Sequence, residues 1–267
     1  MSMSANEWLA CMLLTGLVAG SVLNCVIWRL PVMMRRADSN TKEDGFPERF
    51  NLFLPRSCCP CCLQTIPFYH NIPLLSWLLL RGRCHHCRVS ISLRYPLIEL
   101  TTALCTGWIA WCWPPGWYAL CLASGSWLLI ALLAIDLEQM LLPDVLTLPL
   151  LWLGLLANLH GAIAPLADAV VGAVTGYLFL WIFYWSFLLL SGKEGLGYGD
   201  FKLLAALGAW CGWQRLPILL TAASLAGIGL FLLLRLTGRL REDGAFPFGP
   251  CLAIAGWWQM VTPLAMW

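Results

Sequence analysis

Charge is what this sequence has least of. Of 267 residues, 16 are Lys or Arg and 14 are Asp or Glu, 11% in all, against 60% apolar residues and a mean hydropathy of +0.75. That supply cannot cover the surface of an ordinary soluble domain, so the expected class is an all-α polytopic membrane protein. Other absences narrow the class. The first apolar run, 7–29, has no basic segment ahead of it and no clean small-residue cleavage site, which predicts a retained helix rather than a signal peptide. No G-x-G-x-x-G fingerprint follows a strand, so no nucleotide site can be read from the residues. No repeat relates the two halves and no acid lies near the middle of a span, which argues against a transporter or channel with midplane carboxylates.

What is present is a series of apolar runs. A bilayer core of about 30 Å takes roughly 20 apolar residues per helix. The runs predict about eight transmembrane helices, over 7–29, 96–113, 117–135, 145–163, 167–190, 201–213, 216–236 and 248–266, the sixth of them short. Ten of the sixteen basic residues lie in 29–94, and threading eight spans puts Lys193, Lys202, Arg235, Arg239 and Arg241 on the same side, with Arg215 opposite. Basic residues are retained in the cytoplasm during insertion. The segment 31–95 and the loops 136–144 and 191–200 are therefore expected to be cytoplasmic, and both termini to face outward. The chain divides accordingly into a first transmembrane helix, 1–30, a cytoplasmic metal-binding domain, 31–95, and a seven-helix membrane domain, 96–267. Trp28, Trp77, Trp111, Trp113 and Trp213 cluster near predicted interfaces, where an aromatic belt accounts for them.

The cytoplasmic segment holds six of the thirteen cysteines and is too small for a large core. Cys59-Pro60-Cys61-Cys62 and, after twenty-one residues, Cys84-His85-His86-Cys87 give two Cys-x-x-Cys pairs that can close a tetrahedral site, for which zinc is the expected metal. Two disulfides would use the same spacing, but a reducing cytoplasm disfavours them. Cys58 and Cys61 also stand three apart, and His85 or His86 can replace a thiolate, so spacing alone leaves the register open. Four protein ligands close the shell, which makes the expected role structural rather than catalytic. The cysteines of the apolar runs are expected to act as small packing residues.

Two acids lie in apolar surroundings. Asp136 ends the run that begins near Trp117, and Asp200 follows glycines 195, 197 and 199. In the eight-span threading both fall at the inner membrane boundary, level with one another. Ionisable groups in such places default to function. Brought together, two carboxylates share a proton, and the pair can activate water while protonating a carbonyl. The competing reading has each Asp capping a helix or pairing with Lys202 or Arg83. Asp144 is expected to cap the helix that follows Pro143, and Glu138 and Asp144 lie closer to solvent as secondary candidates.

These residues fall into an ordered set of motifs: Gly20-Ser21-Val22-Leu23-Asn24 with Arg29-Leu30-Pro31, Arg56 to Cys62, Asn71 to Leu78, Arg81 to Cys87, Ile91 to Leu100, Asp136 with Leu142-Pro143-Asp144, and Gly197-Tyr198-Gly199-Asp200. Over nearly its whole length the chain resembles the bacterial type IV prepilin leader peptidases, aspartyl peptidases and N-methyltransferases of type IV pilus and type II secretion systems. The resemblance implies a catalytic pair of Asp136 and Asp200, and zinc ligands Cys59, Cys62, Cys84 and Cys87. It implies an inner-membrane enzyme with periplasmic termini, whose cytoplasmic 31–95 domain is associated with methylation. Its substrates would be prepilins or pseudopilins, cut after glycine on the cytoplasmic side. The new N-terminus would then be methylated with S-adenosylmethionine as donor. Expected partners are these substrates and membrane lipid, with no nucleic acid. One residue departs from the pattern: His70 stands where many members have Asp before Asn-Ile-Pro. A non-catalytic scaffold organised by the metal loop is the alternative, and it leaves Asp136 and Asp200 without a role.

Overall fold

In the computed structural model, residues 3–39, 50–59, 61–62, 64–67, 72–192, 195–238 and 246–262 are described, and His70 lies outside them. The described residues form α1 (Ala5–Ser39), α2 (Leu75–Leu79), α3 (Arg94–Cys112), α4 (Trp117–Gln139), α5 (Asp144–Ala157), α6 (Leu166–Ser191), α7 (Tyr198–Cys211), α8 (Leu216–Leu236) and α9 (Gly249–Val261). The all-helical class expected from the sequence holds. Among the described residues, four helices are long and apolar enough to cross a membrane: Ala5–Ala37, Trp117–Gln139, Leu166–Ser191 and Trp213–Leu236. At 1.5 Å per residue, α5, α7 and α9, with 14, 14 and 13 residues, reach about 20 Å and fall short of a core of about 30 Å. The run in α3 is diluted by Arg94, Glu99 and three threonines. Length and composition thus support four spans and do not confirm the count of eight.

The chain separates into two compact units, Met1–Pro115 and Gly116–Trp267. In the first, α1 packs along α3, the helix that the sequence division groups with the later ones. The contact needs small residues. A Cβ on Gly16 would stand 2.8 Å from Ala103 Cα, and one on Gly20 would stand 2.6 Å from Glu99 Cα. Glycines four apart let two backbones meet without a large side chain between them. The helix α1 also continues past the expected end at residue 29, through Pro31 to Ser39. A proline removes one backbone donor from such a helix, and neighbouring groups tolerate the gap. Just before it, buried Arg29 donates to the carbonyls of Asn51, Leu52 and Pro55, at 2.9, 3.3 and 2.6 Å, and so binds the following loop back to α1.

In the second unit α7 is the central helix. Phe201 and every residue from Leu203 to Cys211 are buried. A helix apolar on all faces has no solvent side to present, which is why this short helix, expected at 201–213, carries no amphipathic pattern. It packs against α5, α6 and α9. The crossing with α6 is backbone on backbone, since a Cβ on Gly208 would strike the Gly172 carbonyl and one on Gly172 the Gly208 carbonyl. Trp210 fills notches at Gly125 of α4 and Gly154 of α5, and its indole N–H donates to the Leu150 carbonyl at 2.9 Å. Asn158, fully buried, donates to the carbonyls of Ala209 and Trp210 and accepts from the amides of Ile163 and Ala164. It satisfies the last carbonyls of α7 and a sharp turn at the same time.

Candidate functional site

Asp136 lies in the last turn of α4, and Asp200 in the first turn of α7. Both are buried, at 5% and 7% exposure, and the Asp200 carboxylate is within electrostatic reach of Asp136. The folding reasons differ. The chain leaves α4 through Met140, whose left-handed backbone (φ 54°) donates its N–H to the Asp136 carbonyl at 2.9 Å. It enters α7 from the glycine segment, where the Gly197 amide donates to Asp200 Oδ2 at 3.3 Å. Asp200 therefore does make the capping contact of the competing reading, while buried inside the unit.

Helix α9 packs against both α4 and α7 and brings a third backbone to the pair. The Gly249 amide faces the Asp136 carboxylate. A Cβ on Gly249 would stand 2.6 Å from Asp136 Oδ2. That oxygen is buried without a hydrogen-bond partner. Gly249 was not singled out in the sequence. Its signal is faint, a glycine before Pro250 at a helix start.

The neighbouring acids behave differently. Asp144 opens α5 without capping it, contrary to expectation; both its oxygens accept from Lys202 Nζ, at 2.7 Å each. The ion pair removes Lys202 as a partner for Asp200. Glu138 and Asp144 are exposed, as their place nearer solvent predicted. The backbone turns out of α6 at Gly192, which sits in the left-handed region at φ 68°. Gly199 serves close approach, because a Cβ there would stand 2.6 Å from Leu142 Cβ.

The first unit carries the second candidate site. Two knuckles are closed at their bases, the first by the Ile66 amide on the Ser57 carbonyl and an isolated β-bridge between Cys58 and Thr65, the second by the Ile91 amide on the Gly82 carbonyl and a bridge between Arg83 and Ser90. The thiols of Cys59, Cys62, Cys84 and Cys87 come within 4.8 Å of one another, whereas Cys58, Cys61, His85 and His86 are not in the cluster. No disulfide joins them. A tetrahedral shell with metal–sulfur bonds of about 2.3 Å has edges of about 3.8 Å, and Cys59 Sγ lies 3.7 Å from Cys87 Sγ. Four converging thiols of this kind can hold a metal ion. The amides of Cys87 and His86 hold the Cys84 thiol down to about 6. Against the Val89 amide, desolvation and the other three thiols push Cys87 up to about 12. Trp77, expected in an interfacial belt, packs on the second knuckle instead. Its ring would meet a Cβ on Gly82 at 2.8 Å, and its N–H points to the Ile91 carbonyl at 3.4 Å.

Comparison with known proteins covers both units. The family model described as bacterial peptidase A24 N-terminal domain matches residues 14–113, and that of the type IV leader peptidase family matches residues 123–232. The prepilin leader peptidase/N-methyltransferase of Aeromonas salmonicida (strain A449) is 55% identical over 257 residues, which is 91% of this chain and 87% of the relative. The proteins of the same name from Pseudomonas aeruginosa and Stutzerimonas stutzeri are 51% and 50% identical, over 92% of this chain and 88% of each relative. No solved structure matches the chain.

Proposed function

The chain belongs to the type IV leader peptidase family, and from that premise we propose that it is a membrane aspartyl endopeptidase that removes the leader of prepilins or type II secretion pseudopilins after glycine and N-methylates the new terminus. The observation that carries the peptidase reading is the pair of buried carboxylates, Asp136 and Asp200, within electrostatic reach of one another. Two buried carboxylates in reach of one another do not both ionise cheaply, so the pair holds one proton between them. The ionised member takes a proton from water as the water oxygen bonds to the scissile carbonyl carbon. The protonated member donates its proton to the carbonyl oxygen. The C–N bond of the resulting tetrahedral species then breaks as a proton passes to the amine nitrogen.

The domain roles follow the sequence division. The segment 31–95 is the cytoplasmic, methyl-transfer-associated domain, and 96–267 carries the peptidase in the inner membrane, with both termini periplasmic. The concentration of basic residues in 29–94 supports that orientation. Cys59, Cys62, Cys84 and Cys87 hold zinc, which fastens the two knuckles and leaves no open position for substrate. S-adenosylmethionine is the methyl donor in this reading, which the names of the relatives support.

The test is cleavage of a purified prepilin in detergent by the wild type, Asp136→Asn and Asp200→Asn. Mass spectrometry of the product terminus is made with and without S-adenosylmethionine. Both variants are expected to lose cleavage, and the wild-type product to gain one methyl group only with the donor. Cleavage that survives either substitution would overturn the aspartyl mechanism, and an unmethylated wild-type product in the presence of donor would overturn the second activity.

A further inference from the structure

The loop that joins α4 to α5 contributes a side chain to the neighbourhood of the acid pair. Leu142 is half-buried in it. Its Cδ1 methyl lies 3.2 Å from where a Cβ would stand on Gly199, and 3.2 Å from where one would stand on Gly249. Gly199 directly precedes Asp200, and the Gly249 amide faces Asp136. One methyl group therefore occupies the space that side chains at both glycines beside the acids would need.

The loop is pinned on either side of this contact. Before it, the Met140 amide is bound to the Asp136 carbonyl at 2.9 Å. After it, the Pro143 carbonyl accepts from the amides of Leu146 and Thr147, both at 3.0 Å. The Asp144–Lys202 ion pair then ties the first residue of α5 to α7, two residues beyond Asp200. Close-packed interiors transmit displacement instead of absorbing it, so a side chain held this way sets the spacing of what it touches.

We propose that Leu142 is a positioning residue for the acid pair: wedged between Gly199 and Gly249, it holds Asp136 and Asp200 at the separation at which they share a proton and a water molecule. The proposal rests on the aspartyl reading above. Leu142→Ala keeps the Cβ that meets Gly199 and removes the methyl that bridges the two glycines. Misplacement of reacting groups by about 1 Å costs up to about 100-fold in rate, so kcat is expected to fall by about 10- to 100-fold while KM stays within about twofold. Leu142→Met, which conserves volume and reach, restores most of the rate.

The experiment measures kcat and KM for a purified prepilin with the wild type, Leu142→Ala, Leu142→Met, Asp136→Asn and Asp200→Asn, together with thermal unfolding of each. A loss confined to kcat, at an unchanged unfolding temperature and reversed by Met, is the expected result. Wild-type kcat in Leu142→Ala overturns the proposal. So does a loss that lies in KM, or one that follows a lowered unfolding temperature and that Met does not reverse. With both Asp variants inactive, such outcomes leave the aspartyl reading standing; an active Asp variant removes that reading and the positioning role with it.

Discussion

The would-be Cβ of Gly249 and the Oδ2 of Asp136 stand 2.6 Å apart, so the carboxylate occupies the space that any side chain at 249 would need. Both sit on packed helices, with little freedom to part. Gly249→Ala is expected to displace the carboxylate and to lower the initial rate of prepilin cleavage by about 100-fold, with a smaller effect on the unfolding temperature. Rate and unfolding measured on the same preparation check this; an active Gly249→Ala enzyme would show that Asp136 need not occupy its observed position.

Gly195, Gly197 and Gly199, around the start of α7, meet different surroundings and should rank accordingly. A Cβ on Gly199 would stand 2.6 Å from the Leu142 Cβ, in a loop pinned at both ends. At Gly195 the obstacle is the Phe187 ring at 2.8 Å, which can turn aside. At Gly197 the nearest atom is Asp200 Oδ2 at 3.6 Å, an ordinary contact, and φ is −80°, open to any residue. Cleavage rates are expected to fall most for Gly199→Ala, less for Gly195→Ala and least for Gly197→Ala. If Gly197→Ala is as damaging as Gly199→Ala, the segment must change conformation when substrate enters.

Helix crossing gives a paired prediction. A side chain on Gly208 would drive into the Gly172 carbonyl across the α6–α7 contact, whereas one on Gly229 in α8 meets nothing within 4 Å. Gly208→Val is expected to cost several kcal/mol, as overpacking of a close backbone contact does. Gly229→Ala should be neutral or stabilise by up to about 1 kcal/mol through helix propensity. Thermal or denaturant unfolding in detergent distinguishes the two, and equal effects would deny that α6 and α7 meet through their backbones.

The parts of the fold that the sequence made legible are those that leave a local signature. Apolar runs marked the helices, the Cys-x-x-Cys pairs marked the knuckles, and two acids in apolar surroundings marked Asp136 and Asp200 as candidates. Hydropathy gave no measure of how many runs cross a bilayer, because α7 is apolar through burial in protein and a lipid-facing helix is apolar for another reason. Long-range partners stayed hidden. Nothing near Asn158 announces that it will satisfy the end of α7, fifty-two residues on at Trp210. Gly249 lies 113 residues from the Asp136 that it faces. Asp144 looked like a cap from its place after Pro143, and only the fold brings it to Lys202. Trp77 reads as an interfacial aromatic until the knuckle against it is formed.

The four-thiol cluster predicts a separation of the two activities. A metal ion held by Cys59, Cys62, Cys84 and Cys87 would close two short loops that have little core of their own. Cys84→Ser removes a ligand whose neighbouring amides favour the thiolate that a metal needs. Metal content is expected to fall from one ion per chain to a small fraction, and the Cys59 and Cys84 amides, bonded to the Gln64 and Val89 carbonyls, should lose protection from hydrogen exchange. Asp136 and Asp200 belong to the other compact unit, so cleavage of a prepilin should continue while methylation of its product declines. Elemental analysis, hydrogen exchange and mass spectrometry of the product on one preparation read all three. Loss of cleavage in step with metal would mean that the knuckles serve the peptidase as well. Full metal content in Cys84→Ser would mean that these four thiols are not the ligand set.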